Sequence, residues 1–299
     1  MWLSVAPEQD YGSELGARRI LVVGHQPHNA GKTTLCKALI YGFKDRGVNL
    51  VPFKPHSGIG YWSQFDTFQE NLMRGTLLSS DIIELEEAAK SKLPLDILNP
   101  VNRLSGPVLD RGMQEERLVF QEFLAQRFTH HDGIMHSNIY YLNGTVNLAH
   151  MRDMRQFYVG IKKKAAKTVF IKKFQELVRA YVDNFDKATS SCYRHLEDKP
   201  LLIESFNDAA YPFNGAEDCG IVLCVSSNIV LQLKADGYFK AIELRGQQKP
   251  KLQLTTTEVY ASSLVEREYD VQPLANKERN DPVTLVDNYS KIIDDLAKG

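Results

Sequence analysis

A three-layer α/β/α fold with a mainly parallel sheet is what this sequence predicts. Three observations carry the prediction. Four short apolar runs, at 20–23, 49–53, 201–203 and 221–225, have the length and unbroken hydrophobicity of strands buried on both faces. Stretches with helical apolar spacing separate them. The first run leads through a loop into Gly31-Lys32-Thr33-Thr34 and then into an amphipathic helix.

Residues 1–17 are mixed in composition and read as a surface lead-in. Ile20 to Val23 is the first strand. A loop from Gly24 to Ala30 follows, and Leu35 to Phe43 has the spacing of a helix. Strand, loop, Gly-Lys-Thr and helix form the layout of a phosphate-binding P-loop. The loop and first-turn residues Gln26, His28, Asn29, Ala30, Gly31, Lys32, Thr33 and Thr34 are the candidates to face a nucleotide. Their N–H groups point at an anion, and a helix N-terminus favours negative charge. Lys32 reaches the β- and γ-phosphates, and the Thr33 hydroxyl sits on Mg²⁺. The strict pattern places a glycine five positions before Gly31. Gln26 stands there, and the nearest earlier glycine is Gly24.

Arg46-Gly47 stops the helix, and Val48 to Lys54 reads as the second strand. A right-handed crossover makes these two strands parallel. Lys54-Pro55-His56-Ser57-Gly58 follows at the carboxyl end of that strand, where doubly wound sheets bind ligands. Lys54 is therefore a second cation for the same phosphates, or a surface lysine before a turn. Thr67 to Leu93 is largely helical, with its second half starting at Ser79-Ser80-Asp81. Asp81 is either a helix N-terminal acid or a metal-facing carboxylate. Leu95 to Val101 reads as extended, Leu104 to Gly112 as loop, and Gln114 to Arg127 as an amphipathic helix.

Asn143-Gly144 lies between apolar runs and predicts a hairpin. Residues 130–160 then form an inserted antiparallel element, suited to a lid or a subunit contact. Its histidines, His130, His131, His136 and His150, match no familiar metal spacing. Lys162-Lys163-Lys164 opens a basic helical stretch to about His195, read as a solvated face. Leu201 to Glu204 is a buried-type strand ending in a carboxylate, the position from which P-loop proteins hold Mg²⁺. Gly220 to Val225 is a further strand, Ile229 to Ala235 a helix, Lys240 to Leu244 a strand and Glu268 to Leu274 a last strand. Asp281-Pro282 starts the terminal helix as N-cap and first residue.

The chain has 299 residues, enough for a single P-loop α/β domain over 1–299 with an insertion at about 113–165. A net charge of −1 supplies no basic field, which argues against nucleic acid as partner. The four cysteines form no CxxC pair and read as buried thiols of a reducing, cytoplasmic protein. No signal peptide is expected, and no run approaches the ~20 apolar residues that span a bilayer, so no membrane partner is expected either.

Several of these motifs stand in one order: the loop ending Gly31-Lys32-Thr33, then Lys54-Pro55, Ser80-Asp81, Asn99-Pro100, and Glu204 with Pro212 eight residues on. In this order the chain resembles the dethiobiotin synthetases and the related synthases of cobalamin assembly, over about 19–107 and 199–230. The resemblance implies a P-loop α/β fold, ordinarily a homodimer, that binds ATP and Mg²⁺. It implies an enzyme that carbamylates a small diamine, phosphorylates the carbamate and closes a cyclic urea. Lys32 and Lys54 would lie on the phosphates as the catalytic cations, with Thr33, Asp81 and Glu204 around the metal. The family has Thr and Glu where this chain has His28 and Asn29, and glycines where it has Ser205, Asn207 and Asp208. Leu244-Arg245-Gly246 stands where an adenine-reading asparagine is expected.

Three functions follow. The first is an ATP-dependent synthetase activating a small carboxylate or carbamate. The second is a small-molecule kinase in the same cleft. The third is a partner-regulated switch ATPase. Proteins of the third kind carry an extra lysine early in the loop, and residues 25–30 contain none.

Overall fold

The computed structural model describes residues 19–27, 30–106 and 122–298. Its elements in chain order are β1 (Ile20–Gly24), α1 (Lys32–Lys44), β2 (Val51–Phe53), β3 (His56–Gly60), α2 (Phe65–Arg74) and α3 (Ser80–Ala89). Next come α4 (Leu95–Leu98), β4 (Val101–Ser105), β5 (Phe123–His131), β6 (His136–Asn143), α5 (Arg152–Lys164), β7 (Lys167–Ile171) and α6 (Phe174–His195). Then follow β8 (Leu201–Glu204), β9 (Ile221–Ser226), β10 (Ile229–Leu233), α7 (Ala235–Gly246), α8 (Thr256–Val259), β11 (Val265–Asp270), α9 (Pro282–Asn288) and α10 (Ser290–Lys298).

The strands form two sheets. The first has the order β11-β10-β9-β1-β8-β2. Its pairs β2–β8, β8–β1 and β1–β9 are parallel, so the four apolar runs named from sequence lie side by side in one sheet. β10 and β11 complete it antiparallel. Alternation along β1 splits the core. Ile20 and Val22 pack with Leu35, Leu39 and Phe43 of α1 and with Ile292 and Ile293 of α10. Leu21 and Val23 face the other way, onto Tyr193, Tyr238 and Ile242. Helices therefore cover both faces.

The second sheet has the order β3-β4-β5-β6-β7. Phe68 of α2 and Met154, Phe157 and Ile161 of α5 pack on one face. On the other face Leu177, Ala180, Phe185 and Ala188 of α6 pack against it. The far end of α6, through Cys192 and Tyr193, belongs to the core of the first sheet, so this helix joins the two. The chain crosses between sheets at Lys54-Pro55, from β2 directly into β3.

Several expectations are corrected. Phe123–Arg127 is not helical but opens β5, and residues 114–121 lie outside those described. Gln126 and Arg127 look like a solvated helix face in sequence, yet both are buried. Arg127 spends its guanidinium on the carbonyls of Leu77 and Asp96 and on Thr129. The hairpin lies not at Asn143-Gly144 but at Asp132-Gly133, between the antiparallel strands β5 and β6. Gly133 takes the positive φ of 99° there, and Asp132 Oδ1 accepts from the Ile134 and Met135 N–H groups. Asn143 instead ends β6, its side chain accepting from Thr145 N–H.

The basic stretch after Lys162 is not one helix: β7 interrupts it, paired parallel with β6. Residues 229–235 and 240–244 are exchanged relative to expectation. Ile229–Leu233 is a strand, turned back on β9 at Asn228 (φ 67°), and Lys240–Leu244 lies inside α7. Leu95–Leu98 is a single helical turn rather than extended. The second sheet also draws on β3, β4 and β7, so it extends beyond the 113–165 insertion on both sides. At the terminus the expectation holds: Asp281 accepts from Thr284 N–H and Pro282 is the first helical residue. No helix among the described residues is long and apolar enough to cross a membrane.

Candidate functional site

The site lies at the carboxyl ends of β2, β8, β1 and β9, where a parallel sheet with covering helices leaves a crevice. A cleft of about 980 Å³ opens there. Gly31 caps α1 with φ 93°, a conformation that favours glycine, and no side chain among the described residues caps the helix N-terminus. Among those residues the N–H groups of its first turn therefore have no side-chain acceptor. Gly24 is also required, by close approach. A Cβ on it would stand 2.9 Å from Lys32 Nζ and 3.0 Å from the Gln26 carbonyl oxygen.

Four charged side chains converge in this cleft. Lys32 Nζ donates to the Asn207 carbonyl at 2.7 Å. Thr33 Oγ1 donates to Glu204 Oε1 at 3.0 Å. Lys54 Nζ bridges two carboxylates, Glu204 Oε1 at 2.7 Å and Asp81 Oδ2 at 2.6 Å. Lys54 and Glu204 are buried, and the Asp81 side chain is 37% exposed. Burial works against the Lys54 charge, but Asp81 and Glu204 outweigh it and raise its pKa above the ordinary lysine value. Burial likewise opposes the Asp81 charge, and Lys54 overcomes this, holding the carboxyl below its usual range. At Glu204 burial prevails over Lys54 and pushes the pKa up. Burial lowers that of Lys32.

Asp81 does not cap its helix. Ser79 does, accepting from Ile82 N–H, which leaves the Asp81 carboxylate for Lys54. Lys54 itself is fixed through its backbone. Its N–H donates to Leu98 O at 2.8 Å, and its carbonyl accepts from Asn99 Nδ2 at 2.8 Å. Asn99 Oδ1 in turn accepts from Ser57 Oγ and Asn102 Nδ2.

Of the loop residues named from sequence, Ala30, Gly31, Lys32, Thr33 and Thr34 line the cleft. Gln26 is exposed and stands apart from that lining, and His28 and Asn29 lie outside the described residues. Sequence reasoning missed Lys37, one turn beyond Thr33 on α1, where it pairs with Glu84 at 3.2 Å and donates to Asn280 at 3.0 Å. The four-residue spacing from Thr33 was the available signal. It also missed Asn207, whose positive φ of 48° turns its carbonyl to Lys32, and the far wall formed by Ser226–Asn228, Gln272–Leu274 and Arg279. Those segments are distant in sequence and meet only through the antiparallel return of β10 and β11.

The donors fit a hard divalent cation. Thr33, Asp81 and Glu204 offer oxygen alone, and Glu204 Oε2 is buried with no hydrogen-bond partner among the described residues. No cluster of three or more His, Cys, Asp or Glu forms a metal site among those residues. Mg²⁺, however, keeps several waters and needs only one or two carboxylates. No family model, curated protein or solved structure matches the chain.

Proposed function

We propose that this chain is an Mg²⁺- and ATP-dependent enzyme of the dethiobiotin-synthetase type. It would transfer the γ-phosphoryl group of ATP to a small carboxylate or carbamate and so activate it for ring closure or ligation. One observation carries the reading: Lys32 and Thr33 at the start of α1, Lys54 after β2 and Glu204 at the end of β8 converge at the N-terminus of a glycine-led helix that no described side chain caps. Phosphoryl transfer asks little more of a protein than this, namely cations to meet the charge on the transferred oxygens and fixed donors to place it.

In this reading the α1 N–H groups and Lys32 cradle the β- and γ-phosphates. Lys54, freed from part of its carboxylate pairing, turns to the γ-phosphate. Thr33 and Glu204, with Asp81 across the cleft, would hold Mg²⁺, which when bound supplies neutralisation of phosphate charge. The far wall near Asn228 and Arg279, which lines the same cleft, would take the nucleoside. A homodimer in the cytoplasm is the assembly this family reading carries with it.

The test is calorimetry with Mg²⁺ and a non-hydrolysable ATP analogue, then turnover with ¹⁸O-labelled carboxylates. Transfer of ¹⁸O from carboxylate to phosphate marks acyl-phosphate chemistry. A stable phosphate ester identifies a kinase instead, and phosphate release only on adding a protein partner identifies a switch ATPase. No binding of the analogue by the folded chain overturns the proposal.

A further inference from the structure

β3 is an edge strand of the second sheet and begins two residues after Lys54. Its parallel pairing with β4 uses the odd-numbered residues. The Pro55 carbonyl accepts from Val101 N–H at 3.2 Å, and Tyr61 N–H donates to the Ser105 carbonyl at 2.6 Å. Successive residues of a strand turn their backbone groups to opposite sides. His56, Gly58 and Gly60 therefore face away from β4. Gln64 takes both groups of Gly60: Oε1 accepts from its N–H at 3.0 Å, and Gln64 N–H donates to its carbonyl at 2.9 Å. Gly58 is exposed, and its N–H and C=O have no hydrogen-bond partner among the described residues.

Gly58 lines the same cleft as Lys32 and Lys54. Phe206, on the loop after Glu204, covers the sheet face there; its ring would lie 4.0 Å from a Cβ on Gly58. The His56 ring is 4.5 Å from that of Phe206. Beyond the cations, this part of the cleft offers a main-chain donor and acceptor side by side, next to an aromatic wall.

We propose that the acceptor substrate carries two successive peptide-like amides, the N–H of the first donating to the Gly58 carbonyl and the C=O of the second accepting from the Gly58 N–H, as one residue of an added strand would. This rests on the phosphoryl-transfer reading above. Main-chain pairing supplies register, and the absence of a side chain on Gly58 leaves room for the substrate's own. The acceptor's carboxylate then faces Lys54. A carboxylate oxygen bonds to the γ-phosphorus, the bond from that phosphorus to the β–γ bridging oxygen breaks, and ADP leaves with the electron pair. The product is an acyl phosphate, with no proton gained or lost.

The experiment uses the full chain saturated with Mg²⁺ and the non-hydrolysable ATP analogue, titrated with N-acetylglycylglycine and with its O-acetylglycolyl counterpart, in which an ester replaces the N-terminal amide and so removes the N–H offered to the Gly58 carbonyl. The amide should bind, and the ester should bind about 10-fold more weakly for want of one donor. Gly58→Pro replaces the outward N–H with the Cδ of the proline ring, a change edge strands tolerate, and should weaken the amide by about 10-fold or more at unchanged nucleotide affinity. Gly58→Ala keeps that N–H, and its Cβ meets the Arg103 carbonyl at an ordinary 3.6 Å, so its loss should be smaller. No saturable amide binding, equal amide and ester affinities, or equal losses in the two variants would overturn the proposal. Failure of the analogue itself to bind is read separately, in the first titration, and overturns the phosphoryl-transfer reading and this one with it.

Discussion

Thr33 Oγ1 and Glu204 Oε1 meet at 3.0 Å although 171 positions separate them. The contact exists because β1 and β8 are parallel neighbours, with Val22 in register with Glu204. The hydroxyl that opens α1 and the acid that ends β8 are thereby delivered to one point. Lys54 arrives at the same point from β2, on the other side of β8.

Lys32→Ala should weaken nucleotide binding by ~1.5–3 kcal/mol, about 10- to 150-fold, by removing a charge-assisted contact to phosphate. The fold should persist, since among the described residues the ammonium's hydrogen bond is to the Asn207 carbonyl at the cleft. Calorimetry with the ATP analogue measures it. Unchanged affinity in a folded variant would sink the P-loop assignment.

How much of this was legible beforehand follows from how local each signal is. The run at 20–23, Gly31-Lys32-Thr33 and the acid ending 201–204 were readable because strand, loop and helix start lie within a few residues of one another. Lys54 and Asp81 were named, but their meeting is tertiary. The second sheet was unreadable at its centre. β5 hides Gln126 and Arg127 in the interior, so its polar residues imitate an exposed helix face. The hairpin was misplaced because Asp132-Gly133 and Asn143-Gly144 are equally good turn signals, and only pairing across the sheet selects the first. Ile229–Leu233 read as helix because its partner strands β9 and β11 flank it in space, with β11 far along the chain.

His56 should make stability depend on pH. Burial, then Arg103 and Lys54, lower its folded-state pKa to about 3, against an ordinary 6.5. Between those values the unfolded chain binds a proton that the folded chain refuses, so stability rises with pH and is lost as pH falls below 6.5. The slope from this one group is up to about 1.4 kcal/mol per pH unit. Urea unfolding between pH 7 and 4 should show a shallower loss in His56→Gln than in the natural chain. Identical slopes would refute the assignment.

Asn99→Ala should destabilise the fold and displace Lys54 together. The side chain is fully buried, donates to the Lys54 carbonyl and accepts from Ser57 and Asn102. Its loss strands these groups, at ~1–3 kcal/mol for each left unsatisfied, with incomplete additivity. Chemical denaturation gives the stability change. The position of Lys54 is read as a fall in kcat larger than any change in nucleotide affinity, and a purely structural role would leave that ratio alone.

Glu204→Gln and Asp81→Asn test the metal. Glu204 keeps its shape as glutamine but loses the charge that Lys54 shares and that a divalent cation would need. Mg²⁺-ATP affinity should fall by about ten-fold or more while metal-free ATP affinity holds, because the missing charge acts through the ion. Asp81 lies at the open side of the cleft, so Asp81→Asn should do the same more mildly. Ser79 holds the cap, so any stability cost of Asp81→Asn should come from the charge lost beside the buried Lys54 and not from a lost cap. Titrating Mg²⁺ against bound ATP in both variants, with thermal melts alongside, separates the two effects. An unchanged Mg²⁺ requirement in Glu204→Gln would remove the acid from the metal site. The acid pair would then serve the lysines, Lys54 foremost, and the cleft would be a nucleotide site without the metal geometry that phosphoryl transfer demands.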